Sequence, residues 1–374
     1  MAGSSFSDGS VSRFREEVRS WLRANVDRHR VDFRWEEQQQ IEVRREWEKA
    51  LDGAHLNCLA WPVEYGGRGY GPVEEFVFAE ECIAADAPEP LGRIGRILVA
   101  PGLFVHGTPQ QQDRFLPAIL HCSETWCQGF SEPGAGSDLA NLRTRAKRDG
   151  DRYIVDGQKI WTSFGHYADQ CLLLARTGEP GGRHRGLTMF ALPMKQPGVQ
   201  LRPIRQINGQ ADFNEVFFDA AEVPAECRIG EEGEGWKVAM TVLTAERGAG
   251  FAALKIKKMR DLVELLELSL AGRESLEPGL HSAKTRFEVA QWHIRRSIEL
   301  LGSSRNPLPA SSILKLLWSE LEQDMARLGF ESDNPAFLDQ WRHHLLSLRA
   351  DTIASGTSEI QRNVIAERVL GLPR

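Results

Sequence analysis

The feature that most constrains this chain is a hydrophobic period that changes twice along its 374 residues. From residue 11 to about 120 the spacing is helical. Phe76, Phe78, Ala79, Cys82 and Ile83 alternate in clusters with Glu74, Glu75, Glu80 and Glu81. Turn-forming residues punctuate this stretch at Trp61-Pro62, at 65–71 and at Ala87-Pro88-Glu89-Pro90. From about 125 to 230 the chain breaks into short β-type runs, at 153–157, 171–175, 187–192 and 215–219, bounded by Gly, Pro and Asp clusters. After Gly235 it is helical again, with breaks at 272–279, 303–309, 334–335 and 354–357. A helical block, a β block and a second helical block predict a mainly α protein with a small central barrel or sandwich. The order is not the βαβα alternation of a doubly wound fold, and neither GxGxxG nor GxxxxGK[ST] occurs.

Composition narrows the function. At 41% hydrophobic and 26% charged, the chain suits an ordinary globular protein of two or three modules. Its formal net charge of -6 argues against a nucleic-acid binder, which shows a basic excess. The local cluster Lys255-Lys257-Lys258-Arg260 reads as a solvated helix face. No apolar run approaches the ~18 residues of a membrane span. Residues 1–10 read as a disordered tail, and the six scattered cysteines as reduced, core-type residues of a cytoplasmic protein. No metal-ligand spacing is evident.

Four motifs carry chemistry. Residues 126–138 run Trp-Cys-Gln-Gly-Phe-Ser-Glu-Pro-Gly-Ala-Gly-Ser-Asp, and 157–163 run Gly-Gln-Lys-Ile-Trp-Thr-Ser. Val216 to Pro224 leads into Gly233-Glu234-Gly235-Trp236, and 356–362 run Gly-Thr-Ser-Glu-Ile-Gln-Arg. Small residues at 134–137 let a ligand approach the backbone closely. Trp161-Thr162-Ser163 offers an indole to stack and hydroxyl and amide donors. Ser358-Glu359-Ile360-Gln361 has the form of a capping box opening a helix.

In this order and at these separations the motifs resemble those of the acyl-CoA dehydrogenase family, with Trp61-Pro62-Val63-Glu64-Tyr65-Gly66-Gly67 and His106-Gly107-Thr108 adding support over residues 12–374. The resemblance implies an N-terminal helical domain (11–122), a middle β-barrel domain (123–231) and a C-terminal helical bundle (232–374). It implies FAD as cofactor and oxidation of an acyl thioester, bound to CoA or to a carrier protein, to the trans-2-enoyl thioester. Carried over by position, the flavin contacts fall on Gln128, Phe130, Ser131, Gly136, Ser137, Trp161, Thr162, Ser163, Thr357 and Glu359. The thioester contacts fall on Ser137, Arg247, Ser355 and Gly356.

Many members of the family place their catalytic Glu immediately before the last Gly-Thr-Ser; this chain has Ser355 there. A minority branch, including isovaleryl-CoA and long-chain dehydrogenases, carries the Glu before an Arg on the first helix of the C-terminal domain, where this chain has Glu246-Arg247. Ala239, Val242, Glu246, Ala249 and Ala253 share one helical face, so the carboxylate is expected among small apolar residues with a raised pKa. The backbone amide at Ser355 is left to polarise the thioester carbonyl. The adenosine-contact motifs of many relatives are missing from 255–295 and eroded at 323–329. A homotetramer, or a mixed tetramer with a related chain, is expected, with an electron-transfer flavoprotein as electron acceptor. A non-catalytic partner subunit and a flavin oxidase or monooxygenase on the same fold are the competing readings.

Overall fold

The computed structural model describes residues 9–31, 35–179, 182–245, 249–301 and 308–373. Five helices come first: α1 (Gly9–Asn25), α2 (Glu37–Gly53), α3 (Pro72–Ala84), α4 (Ala100–His106) and α5 (Pro109–Leu120). Eight strands follow: β1 (Trp126–Gly129), β2 (Arg145–Asp149), β3 (Arg152–Ser163), β4 (Gln170–Arg176), β5 (Leu187–Pro193), β6 (Val199–Ile204), β7 (Phe213–Pro224) and β8 (Arg228–Ile229). The remaining helices are α6 (Gly235–Ala245), α7 (Ala249–Leu270), α8 (Glu277–Leu301), α9 (Leu308–Glu331), α10 (Leu338–Ser347) and α11 (Ser358–Val364). Helix, sheet, helix is the expected order. Helix α1 takes in Gly9 and Ser10, the end of the stretch read as a tail, while residues 1–8 lie outside the described residues.

The chain forms two compact units. The mixed unit comprises Trp21–Tyr70 and Asp86–Glu246. Its strands form one sheet in the order β6-β7-β3-β2-β4-β5-β8, with β1 pairing β4. Both faces of β4 are covered. Leu172 and Leu174 join a core with Leu103, Ile119 and Val242, whereas Cys171 and Leu173 join a second core with Phe190, Leu192 and Val216. Two buried faces explain why β4 reads as an unbroken apolar run rather than an alternation. Strand β2, Arg-Ala-Lys-Arg-Asp, is exposed at all but Ala146 and owes its conformation to pairing with β3.

The helical unit comprises Met1–Ser20, Gly71–Ala85 and Arg247–Arg374. Within it α3 packs on α7 and α8, and α9 packs on α7, α8, α10 and α11. Its core includes Leu262, Leu266, Ile294, Leu321 and Trp341. Gly329 is required here, because a Cβ would come within 2.1 Å of the Trp341 ring. Only part of the basic cluster on α7 is the solvated face expected, with Arg260 exposed and Lys257 half-exposed. Lys255 is buried beside Glu322 and Asp351, and Lys258 reaches the same two carboxylates. All six cysteines are free, four of them buried.

Candidate active site

In the mixed unit the first two motifs meet. The loop after β1 doubles back in a tight turn, Glu132 and Ala135 exchanging both backbone hydrogen bonds at 3.1 and 3.0 Å. Lys159, on β3 and fully buried, donates from Nζ to Phe130 O and to Glu132 Oε1, each at 2.9 Å. Glu132 also accepts from the backbone N–H of Arg143 at 2.6 Å and of Thr144 at 2.8 Å. Burial pushes the Glu132 carboxyl up, but the Lys159 charge and these donors outweigh it and hold the group below its usual range. Ile160 N–H donates to Ser131 O at 2.9 Å. Phe130 and Ser131 are thus fixed to β3 by side chain and backbone together. Neither Glu132 nor Lys159 was singled out from the sequence. The available signal was a lysine at an inward-facing position of an alternating strand, which demands a buried counter-charge.

Beyond Lys159 the β3–β7 register shifts, and the irregularity turns Trp161 outward with φ +62° and the indole 56% exposed. A bulky residue in the left-handed region is a genuine outlier, and such outliers gather at functional sites. The indole meets Phe213 edge-on at 6.1 Å and otherwise faces out. Thr162 is fully buried, yet its Oγ1 has no hydrogen-bond partner among the described residues, and neither does the buried Nε2 of Gln128. Ser163 is half-buried, and Gly136 and Ser137 are exposed. A Cβ added at Gly134 or Gly136 would meet only open space. Orphaned polar atoms, an outturned indole and a cleared loop fit a planar heteroaromatic cofactor with a polar edge.

A second structural device went unread in the sequence. The buried guanidinium of Arg176 donates to four backbone carbonyls, those of Ala140 (2.8 Å), Leu142 (3.2 Å), Arg183 (3.2 Å) and Arg185 (3.3 Å). It ties the segment after Ser137 to the loop between β4 and β5. Only a planar fork of five donors serves four acceptors at once.

In the helical unit the last motif is held with similar care. Ser355 (φ +53°) and Gly356 (φ +89°) are both left-handed, and the buried Gln361 donates from Nε2 to both their carbonyls at 3.1 and 3.3 Å. A Cβ at Gly356 would lie 2.6 Å from that same nitrogen, so glycine is needed there. The capping box expected to open on Ser358 does not form; a simple N-cap one residue earlier takes its place, and the third helical position is then Ile360, which has no polar side chain to reach back. Thr357 is the N-cap of α11, its Oγ1 accepting from Ile360 N–H at 3.3 Å, and Ser358 is buried instead. Thr357 and Glu359 line a cavity of about 480 Å³ together with Gln323, Asp324, Arg327 and Arg362. The eroded 323–329 stretch therefore borders the C-terminal motif. Glu246 and Arg247 lie outside the described residues; Ala239 and Val242 before them, and Ala249 and Ala253 after, are all buried.

Comparison with known proteins agrees with this geometry. A family model described as the N-terminal domain of acyl-CoA dehydrogenase matches residues 10–122, the middle-domain model 127–221 and the C-terminal-domain model 233–370. Acyl-CoA dehydrogenase IpdE1 of Mycobacterium tuberculosis is 42% identical, over 97% of this chain and 98% of that protein. The ChsE4-ChsE5 complex from Mycobacterium tuberculosis superposes with a TM-score of 0.81 at 30% identity, over 98% of each chain. A structure titled Tcur3481-Tcur3483 steroid ACAD reaches a TM-score of 0.83 at 26% identity, covering 98% of this chain and 99% of that one. Among the described residues no helix is long and apolar enough to cross a membrane.

Proposed function

Because the chain belongs to the acyl-CoA dehydrogenase family, whose members are FAD-dependent oxidoreductases, we propose that it desaturates a bulky acyl thioester between the α and β carbons. Bound FAD supplies the acceptor for the β-hydride. The residues that would hold it are Gln128, Phe130, Ser131, Gly136, Ser137, Trp161, Thr162 and Ser163, with Thr357 and Glu359 carried over from the family motif. Trp161 excludes water from the reacting face. Glu246 receives the α-proton at its carboxylate. The Ser355 amide polarises the thioester carbonyl as negative charge develops on it, while Arg247, Gly356 and Ser137 position the thioester and its carrier. The domain limits 11–122, 123–231 and 232–374 belong to the same reading.

The observation that carries the proposal is the braced loop Phe130–Ser137 beside the outturned Trp161 and the orphaned Thr162 hydroxyl, a site built for a cofactor. The small Ser355 leaves room beside the α-carbon. With the similarity to a protein titled a steroid ACAD, this supports a branched or ring-bearing acyl group. Glu246→Gln keeps shape and flavin but removes the base, so a loss of ~10²-fold or more in turnover is expected. Near-native turnover in that variant would exclude Glu246 as the base.

One observation favours a mixed assembly over a homotetramer. The cavity beside Thr357 is lined by Arg327, where many relatives have a glycine, and it carries the carboxylates of Glu320, Asp324 and Glu359. A similar structure is titled a two-component complex. Flavin content of the chain purified alone, against the chain co-expressed with a related partner, separates the two assemblies. An electron-transfer flavoprotein is the proposed electron acceptor.

A further inference from the structure

Four ionisable side chains, none of them given a role above, meet inside the helical unit. Lys258 Nζ on α7 lies 2.7 Å from Asp351 Oδ2 and 3.3 Å from Glu322 Oε2. Lys255 Nζ lies 3.5 Å from the same Asp351 oxygen and 3.9 Å from Glu322. It also sits 3.6 Å above the centroid of the Trp318 ring. Glu322, on α9, is fully buried. Asp351 belongs to the one-turn helix Leu348–Thr352, which leads directly into Ser355.

Stability alone does not account for such a cluster. Apolar residues of similar volume in place of a buried ion pair are often as stabilising or more so, because desolvation cancels the attraction. What the cluster does achieve is a fixed position. Asp351 joins two helices to one turn, and Gln323, beside Glu322 on α9, donates to Leu348 O at 3.1 Å and Thr352 Oγ1 at 2.8 Å. The backbone from Asp351 to Ser355 is then short and held from within, with Ala354 N–H donating to Ala350 O at 2.8 Å. Gln361 grips the far side, at Ser355 and Gly356. The amide at Ser355 is thereby pinned from both directions, and α7, which follows Glu246-Arg247 in the chain, is one of the anchors.

We propose that the Lys255–Lys258–Glu322–Asp351 cluster is a positioning device for the thioester carbonyl, with Asp351 as its key residue, holding the Ser355 backbone in register with α7. The inference rests on the role proposed above for the Ser355 amide. Asp351 touches no substrate; it acts through the turn it anchors.

The test uses flavin-loaded protein, Asp351→Asn, and two measurements. Turnover of a ring-bearing acyl-CoA is expected to fall about tenfold in kcat per bound flavin with KM within about twofold, the pattern of an interaction made chiefly in the transition state. The C=O stretch of a bound, unreactive acyl thioester, lowered in the wild type, is expected to move back toward its solution value. Asp351→Glu should restore most of both. Lys258→Gln should act in the same direction, and the double variant should be no worse than the poorer single one. Lys258 is partly exposed, so this variant carries the test if Asp351→Asn does not fold. A folded variant with wild-type kcat per flavin and an unmoved C=O stretch overturns the proposal, even if it melts earlier. Wild-type protein that binds flavin but desaturates no thioester refutes the parent reading instead.

Discussion

At the scale of single residues, the centre of the site is the pair formed by Glu132 and Lys159. Both are buried, and Lys159 Nζ lies 2.9 Å from Glu132 Oε1. Glu132→Gln leaves the Lys159 ammonium buried without a counter-charge, and breaking such a pair costs roughly 3 to 5 kcal/mol. The variant should melt well below the wild type in calorimetry and release flavin more readily, since the same carboxylate holds the 130–132 loop. In the wild type this carboxyl is depressed in the fold, so its contribution is present above the unfolded pKa near 4.3 and disappears as pH falls through the lower folded value. The identities at 131–137 and 161–163 were legible as a motif. The partnership of Glu132 and Lys159 was not, because a sequence shows that a buried charge needs a partner without showing which one. The cap of α11 failed for a simpler reason: Thr357 and Ser358 are adjacent, both cap well, and only the backbone chooses between them.

At the scale of elements, strands whose side chains create their own burial were legible, and those formed by their neighbours were not. β4 and β5 announce themselves by composition, while β2 is a polar strand recruited by β3. The same limit explains α7. Hydrophobic periodicity counts every lysine as a solvent-seeking group, so a face on which Lys255 and Lys258 meet Glu322 and Asp351 looks like a wet one. Burial pushes the Glu322 carboxyl up to about 8, against the pull of Lys255 and Lys258 and with Asp351 beside it, while Asp351 is held down at about 2. An unfolded glutamate ionises near 4.3. The folded protein therefore keeps a proton that the unfolded chain has lost, and stability declines as pH rises from that value toward about 8. Glu322→Gln removes this slope. Melting temperatures from pH 5 to pH 9 should fall less steeply for the variant than for the wild type, and parallel curves would show that Glu322 is ionised throughout.

At the scale of the whole molecule, the order of helical, β and helical blocks was legible from period alone, because each block is long enough for its repeat to be counted. How the chain threads them was not. The helical unit is assembled from three separated stretches, and α3 is one of them. A ligand that binds only the folded state stabilises it by mass action, by about 2.7 kcal/mol at a hundredfold excess over its dissociation constant. Added FAD should accordingly raise the melting temperature, with a dependence on protein concentration as well if subunits share the cofactor; light scattering beside flavin quantitation reads both. The threading also sets a schedule for synthesis on the ribosome. Val73, Phe76 and Val77 of α3 are buried in the finished protein, where α3 packs on α7 and α8. Those helices are translated only after the entire sheet. Throughout that interval the nascent chain displays an uncovered apolar helix, which is the kind of surface that holdase chaperones recognise. A chain released after Ile229 should stay bound to such chaperones or aggregate, whatever the state of its sheet, and supplying residues 249–374 as a separate polypeptide should rescue it.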